Sequence, residues 1–523
     1  MALIDWIVMV AYLAGLFALA VFLGRRQVSA KDYFLAGNKL SNGALAASTI
    51  ATQCSTNSLL GAPAFVGFTL GGGLLWLQYE LAVPLAMAAL IVLMVPARQA
   101  GVTSIYEILE QRLGVASRRL ASATFLVFRG VATGVTVYGV ALVLTSVLEI
   151  SYGWAVVLLM GVTVTYDILG GLRAVVISDL IQLVLLVVTV LVSLFLLADV
   201  TGWQAFFDNR TDTLVDDWGL TGNDYGFWPM LIGGLFLYMA YYGCDQSQAQ
   251  RVLAADNDAG AQRILLLNGL LRFPLVFCYC LLGLGLAAFA SAQPEFIARL
   301  PLNSAGEVNF NMVFPAYVLN YFAPGFVGLV MVGLIAAAMS SIDTALNSLS
   351  AATMEDFVKP LASPSQSAQL PCSRLVTLCW GLFAVLFSFQ VEAIAPTILE
   401  AINKVGSMVN GPLLALFSMA LLLDRISERA AVAGFLAGVG ANGLIAIWAP
   451  SVSWLWWNVS GLGVALVVAA AIHTISGGLW RLAEHRYPPR KATVVALLFM
   501  AGLIALICLG FDRYASSAPA LLD

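Results

Sequence analysis

The chain is 523 residues long, 61% hydrophobic and only 10% charged, with a formal net charge of −4. Soluble domains carry about 25% charged residues, and a water-facing fold cannot hide this much apolar surface, so a soluble enzyme or signalling module is excluded. The small net charge, with no basic tract and no zinc-type Cys/His spacing, argues against nucleic acid as a partner.

Apolar windows of about 20 residues predict fourteen membrane spans in an all-α polytopic protein. The first, 4–24, lacks a basic leader and a small-residue cleavage site, so it reads as a retained span. The second, 43–66, carries STIATQCSTNS at 48–58, a run of hydroxyl and amide side chains between apolar segments. Such side chains offer the backbone alternative hydrogen bonds and favour a break in the helix. Broken backbone at membrane depth is tolerated where it lines a cavity or ion site, and its freed carbonyls can hold a cation.

Span 3, 71–97, contains Gln78 and Glu80. Residues 99–119, with Tyr106, Ile108, Leu109 and Leu113 at helical spacing, predict a short interfacial helix. Span 4, 120–148, contains Arg129; spans 5 and 6, 153–170 and 175–199, are separated by Gly170, Gly171, Leu172 and Arg173, with Asp179 following. After a long loop, 200–226, span 7 (227–247) shows a second polar cluster at Tyr238, Tyr241, Tyr242, Gly243, Cys244, Asp245 and Gln246. Spans 2 and 7 lie five apart, and an odd offset inverts topology. Interrupted segments in corresponding positions of inverted halves point to a transporter site.

Span 8, 264–290, carries Arg272 where it could snorkel, and a second long loop covers 291–323. In span 9, 324–350, Ser340, Asp343, Thr344 and Asn347 share one helix face, with Ser341 beside it. Hydroxyls, carbonyls and carboxylates are the hard oxygen ligands that a small hard cation takes. Residues 351–373 read as a Pro/Ser linker. Spans 10 and 11, 375–394 and 395–423, are cut near Glu392 and Pro396, and Glu400 with Lys404 has the spacing of a structural ion pair. The last spans are 428–449, 455–476 and 491–511, with Trp454, Trp456, Trp457 and Trp480 as interfacial anchors. The seven cysteines mostly fall in apolar segments and predict no disulfide framework.

Loop charges orient this map. With the N-terminus outside, the outer segments hold Arg210, Arg299 and Arg513, while Arg129, Arg272 and Lys404 lie near membrane depth. The other 19 of the 25 Lys and Arg are cytoplasmic, as the positive-inside rule requires. Both termini are therefore expected outside.

Five motifs in order resemble the sodium/solute symporter family: IATQCS at 50–55 running on to Gly61, GGLRAVVISD at 170–179 with Gln182, YYGCDQSQAQR at 241–251, AAAMSS at 336–341 with Asn347 and Ser348, and GPLL at 411–414. The likeness is nearer the monocarboxylate, sialic acid and multivitamin branch than the sugar branch. It implies a LeuT-type core of two inverted five-helix repeats. Residues 1–42 would be an extra helix and cytoplasmic loop, 43–199 the first repeat, 200–424 the second with its outer loops, and 425–523 the extra C-terminal helices. It also implies a principal Na⁺ site from carbonyls of Ala51, Cys54 and Ala337 with the hydroxyls of Ser340 and Ser341. A second site, present in some members, would use Asp179, Ser340, Thr344 and the position of Asp343. An Asp at that last position departs from the family's usual hydroxyl or Ala and bears on whether one Na⁺ or two are carried. Solute would sit near Thr52, Ser55, Thr56, Ser58, Gln78, Glu80 and Tyr241, the last as an inner gate.

The expected activity is Na⁺-coupled symport of a small organic solute by alternating access, in a bacterial inner membrane, with the lipid bilayer as surroundings and a monomer as the working unit. Arg129 and Arg272 point towards an organic anion, because a guanidinium holds a carboxylate bidentately. Proton coupling through Asp179 or Asp343 to a neutral solute is the alternative. A channel lacks its filter or charge ring here. An enzyme lacks a nucleophile–base or metal constellation.

Overall fold

The computed structural model describes residues 1–25, 27, 29–54, 56–69, 73–208, 218–219, 226–302, 306–391, 398–424, 426–478, 481–482 and 489–517. For residues 57, 208, 398–405 and 512–517 it describes the backbone alone. Ser55, Arg210, Trp480, the 392–397 boundary and the side chains of Glu400, Lys404 and Arg513 lie outside the described residues.

The first half is built from α1 (Leu3–Gly24), α2 (Asn42–Gln53), α3 (Thr56–Phe68), α4 (Ala82–Gln99), α5 (Val115–Leu148) and α6 (Tyr152–Thr201). The second contains α7 (Gly234–Cys244), α8 (Gln246–Leu253), α9 (Asp258–Ala292), α10 (Phe326–Thr353), α11 (Gln366–Ser388) and α12 (Ile398–Leu422). Then follow α13 (Glu428–Trp448), α14 (Trp457–Ile475) and α15 (Lys491–Ser517). Among the described residues, ten helices are long and apolar enough to cross a membrane, and Ser58–Phe68, Pro229–Cys244 and Gly406–Leu422 are shorter apolar helices. α11, α13 and α15 leave Leu386, Trp448 and Phe499 exposed on one face, as lipid-facing helices do.

At 50 residues, α6 is too long for one crossing, since about 20 residues span the hydrocarbon. Its break is at Gly171, with φ 52° and ψ −161°, a conformation essentially closed to residues with a Cβ. A Cβ there would also lie 2.7 Å from the Tyr33 carbonyl oxygen. Tyr33 anchors the bend, because its hydroxyl donates to the Asp167 carbonyl at 3.2 Å. Gly171→Ala is expected to destabilise the protein by about 1–3 kcal/mol from backbone strain alone. Thermal unfolding in detergent would show this as a lowered midpoint; an unchanged midpoint would count against the strained bend.

α2 stops as the polar run predicts. Cys54 leaves helical space (φ −81°, ψ 62°) while its N–H still reaches the Ile50 carbonyl at 2.8 Å, and α3 resumes at Thr56. Pro63 within α3 removes a further donor. α3 lies tightly on α9: a Cβ at Gly67 would be 2.6 Å from the Gly283 carbonyl oxygen, the close approach that small residues permit. α7 and α8 are likewise separate helices, divided at Asp245 (φ −83°, ψ 120°), whose carboxylate caps α8 by accepting from Ser247 N–H at 2.7 Å. Both predicted interruptions are therefore present.

Four expectations are corrected. Residues 351–373 are not a linker: α10 runs through a π-helical turn, Met354–Val358, into Lys359–Ala362, and α11 starts at Gln366. Pro360 sits in the first turn after that bulge, where its missing N–H does little harm. The helix Glu107–Arg112 is not interfacial, because Tyr106, Ile108 and Leu109 are buried within the protein. Of the tryptophans, Trp457 is buried and Trp454 and Trp456 are half-buried, so protein contacts hold them more than lipid does. Arg272 does not snorkel; it is buried and paired.

On the predicted cytoplasmic side, Arg98 at the end of α4 grips the turn before α9. It donates to the Ala255 carbonyl at 3.1 Å, the Asp256 carbonyl at 2.5 Å and the Asp258 carboxylate at 2.7 Å. Gln99 adds a bond to Asp258 at 2.8 Å and Asn42 one to Asp256 at 3.1 Å.

Candidate cation and solute site

The break between α2 and α3 faces the small-residue stretch of α10. Ser340 Oγ lies 3.2 Å from the Ala51 carbonyl oxygen and 3.1 Å from that of Ala337, and Ser341 Oγ donates to the Thr52 carbonyl at 2.9 Å. Thr56, on the far side of the break, donates to the Leu334 carbonyl at 3.0 Å. Carbonyls of the last turn of α2 and hydroxyls of a distant helix thus converge in one seam. These are the hard oxygen donors that a small hard cation takes, and of the expected donor residues the seam brings together Ala51, Ala337, Ser340 and Ser341.

Deeper along the same seam lies Arg251 of α8, fully buried. Its guanidinium donates to Ser48 Oγ at 3.1 Å, to the Ser247 carbonyl at 2.8 Å and to Thr344 Oγ1, and stands 3.5 Å from Asp179. Ser48 in turn donates to Asp179 at 2.5 Å, and Thr52 and Thr344 hydroxyls meet at 3.0 Å. One side chain so ties α2, α6, α8 and α10 together. Asn347 and Gln250 extend the network at 3.0 Å, and Asn347 reaches Asp167 at 3.4 Å. Asp343 is buried next to Thr344, its Oδ2 without a hydrogen-bond partner among the described residues. Arg251 and Asp167 carried no weight in the sequence reading. Yet Arg251 stands in the quoted 241–251 motif, and Asp167 is a carboxylate inside an apolar span, a signal in its own right.

Beside the seam is a polar cavity of about 230 Å³, lined by Thr52, Gln53, Arg129, Thr133, Thr136, Tyr241 and Ser341. Three predicted solute residues meet there: Thr52, Arg129 and Tyr241. Gln53, Thr133 and Thr136 were missed. Arg129, Thr133 and Thr136 are spaced i, i+4, i+7, one helix face, which was readable from the sequence. Arg129 stands 3.7 Å from Asp245 and 6.0 Å from the Tyr241 ring centroid. Other predicted residues lie apart. Glu80 is 2.9 Å from Arg272, which also donates to the Tyr238 hydroxyl at 2.8 Å and stacks on its ring. Thr56 is committed to Leu334, Ser58 donates to the Gln53 carbonyl at 3.4 Å, and Gln78 is buried away from this cavity.

A sequence profile described as the Sodium:solute symporter family matches residues 33–438, taking in the broken α2–α3 pair, Arg251 and all of α10. The chain belongs to the sodium:solute symporter family. It is therefore a multi-pass membrane transporter and not an enzyme, and Na⁺ is its coupling ion. It is 28% identical over 450 residues to the sodium/sialic acid symporter NanT of Aliivibrio fischeri, covering 83% of this chain and 86% of that one. It is 26% identical over 487 residues to the sodium/sialic acid symporter SiaT of Proteus mirabilis, covering 90% and 94%. A third relative is sodium-coupled monocarboxylate transporter 1 of Xenopus laevis, 27% identical over 436 residues, 80% and 67% covered. Among solved structures, a substrate-bound, outward-open Na⁺-coupled sialic acid symporter aligns with TM-score 0.81 at 23% identity, covering 92% of this chain and 100% of that one. The nucleobase-cation-symport-1 family transporter Mhp1, in a closed conformation, aligns with TM-score 0.54 at 12% identity, covering 85% and 94%. At these identities the two structures speak for the symporter's fold.

Proposed function

We propose that this symporter couples Na⁺ entry to uptake of a small organic anion, such as a monocarboxylate or a sialic acid, by alternating access. The observation that carries the reading is the seam itself: hydroxyls of Ser340 and Ser341 directly against carbonyls at the interruption of α2. Na⁺ would be held by the carbonyls of Ala51, Cys54 and Ala337 and by those two hydroxyls. Bound there, the ion joins α2 to α10 and biases the protein between states that hold it differently. Its entry adds its gradient and about 2.3 kcal/mol per 100 mV of membrane potential. The solute would contact Thr52, Arg129 and Tyr241, the three predicted residues that share the polar cavity with Ser341.

A second Na⁺ at Asp179, Ser340, Asp343 and Thr344 would compete with Arg251, whose guanidinium already faces Asp179 and Thr344. That contact favours one Na⁺ in this conformation. The helix inventory supports a fourteen-span chain: among the described residues there are ten long helices, one of them doubled at Gly171, and three shorter ones. On this reading residues 43–199 and 200–424 form inverted repeats of a LeuT-type core, flanked by 1–42 and 425–523. Both termini face out of a bacterial inner membrane, and the monomer transports.

Purified protein in liposomes should accumulate its anion only with an inward Na⁺ gradient. Equal uptake with choline replacing Na⁺ at fixed pH would overturn Na⁺ coupling. Uptake that then followed a proton gradient would favour a proton route through Asp179 or Asp343.

A further inference from the structure

Arg129, Ala132 and Tyr241 line a second, larger cavity of about 620 Å³ that adjoins the polar one. Its walls carry Trp76, Tyr79, Tyr106, Phe125, Phe128 and Trp454, with few polar groups. A polyhydroxylated solute would leave its hydroxyls unpaired against such walls, and each buried unpaired polar group is unfavourable. An aromatic or alkyl body gains from the same surface. Where the two cavities meet stands Arg129, whose Nε is buried and without a hydrogen-bond partner among the described residues. Its contact with Asp245, at 3.7 Å, is longer than a hydrogen bond and leaves guanidinium donors for a ligand. The Arg129–Asp245 pair is neutral together. A Na⁺ held by Ser341, which lines the polar cavity, adds one positive charge there, and one carboxylate cancels it.

We infer that the solute is an amphipathic monocarboxylate, its carboxylate held by Arg129 in the polar cavity and its aromatic or long alkyl body lying in the aromatic-walled one. The inference rests on the proposed Na⁺-coupled uptake and narrows its substrate class. It distinguishes this chain from a sialic acid carrier, whose solute is hydroxylated throughout.

Binding to the full-length protein in detergent tests it, measured by calorimetry in sodium chloride and in choline chloride. The probes are acetate, 3-phenylpropionate, 3-phenylpropionamide, phenylalanine and a sialic acid. In Na⁺, 3-phenylpropionate should bind roughly 10- to 100-fold more tightly than acetate, as expected for burying a phenyl group. The amide and the sialic acid should bind far more weakly. Phe125→Ala should lower 3-phenylpropionate affinity several-fold, and Arg129→Gln should erase the preference for the acid over the amide. Na⁺-dependent binding of the sialic acid without any gain from the phenyl group would overturn the inference and leave the coupled-uptake reading standing. Equal affinity for acid and amide would mean that any hydrophobe, a lipid tail included, fills the cavity, and would also overturn it. Tighter binding of phenylalanine would assign Asp245 to an ammonium group and replace the monocarboxylate with a zwitterion. Binding indifferent to Na⁺ would count against both readings, and no binding of any probe would overturn the inference alone.

Discussion

Replacing Ser341 by Ala is expected to raise the Na⁺ concentration for half-maximal uptake by roughly tenfold to a hundredfold. The hydroxyl lies 2.9 Å from the Thr52 carbonyl oxygen at the mouth of the seam. An oxygen donor to a charged group is worth about 1.5–3 kcal/mol, and about 1.4 kcal/mol corresponds to a factor of ten. Ser341→Thr retains the oxygen and should recover much of the affinity, which separates loss of a ligand from loss of packing. The measurement is initial uptake against Na⁺ concentration in liposomes. A curve for the Ala variant that overlays the parent would take Ser341 out of the Na⁺ site.

Arg251→Met should be the most destructive single change in the core. Removing one partner of a buried ion pair leaves the other charge uncompensated and typically destabilises by about 3–5 kcal/mol. Here the stranded group is Asp179, itself fully buried, and Ser48 and Thr344 lose a donor at the same time. The expected result is a sharp fall in the thermal midpoint and loss of transport. Adding Asp179→Asn removes the stranded charge, so the double variant should recover much of the midpoint. Transport should stay impaired, since the four helices are no longer tied. Additive losses in the double variant would mean that the two residues do not act on each other.

The interruptions were legible because composition dictates them. Residues 48–58 put so many hydroxyl and amide groups into one span that the helical ladder faces competitors at every turn, and the chain breaks at Cys54. Asp245 announced itself as a carboxylate in an apolar segment and serves as a helix cap. Gly170 and Gly171 marked the bend in α6. Proline misleads: the Pro/Ser-containing stretch 351–373 reads as a linker, whereas Pro360, after a π-turn, occupies a position where helices tolerate it. The site was half legible. The family resemblance set Ser340 and Ser341 opposite the break in α2, and in the structure they meet its carbonyls. Which polar groups share a cavity could not be read, because it depends on how distant helices rotate. Glu80 and Arg129 looked equivalent as lone charges in spans, yet one is consumed by Arg272 and the other opens onto space. Arg251 carried no periodic signal, and only its four-helix surroundings reveal its part.

The grip of Arg98 bears on which parts of such a machine travel together. Three acceptors within four residues are held by one guanidinium, so letting go of one while retaining the others relieves little strain. The clasp fastens the end of α4 to the start of α9, so those two helix ends are expected to move as one body.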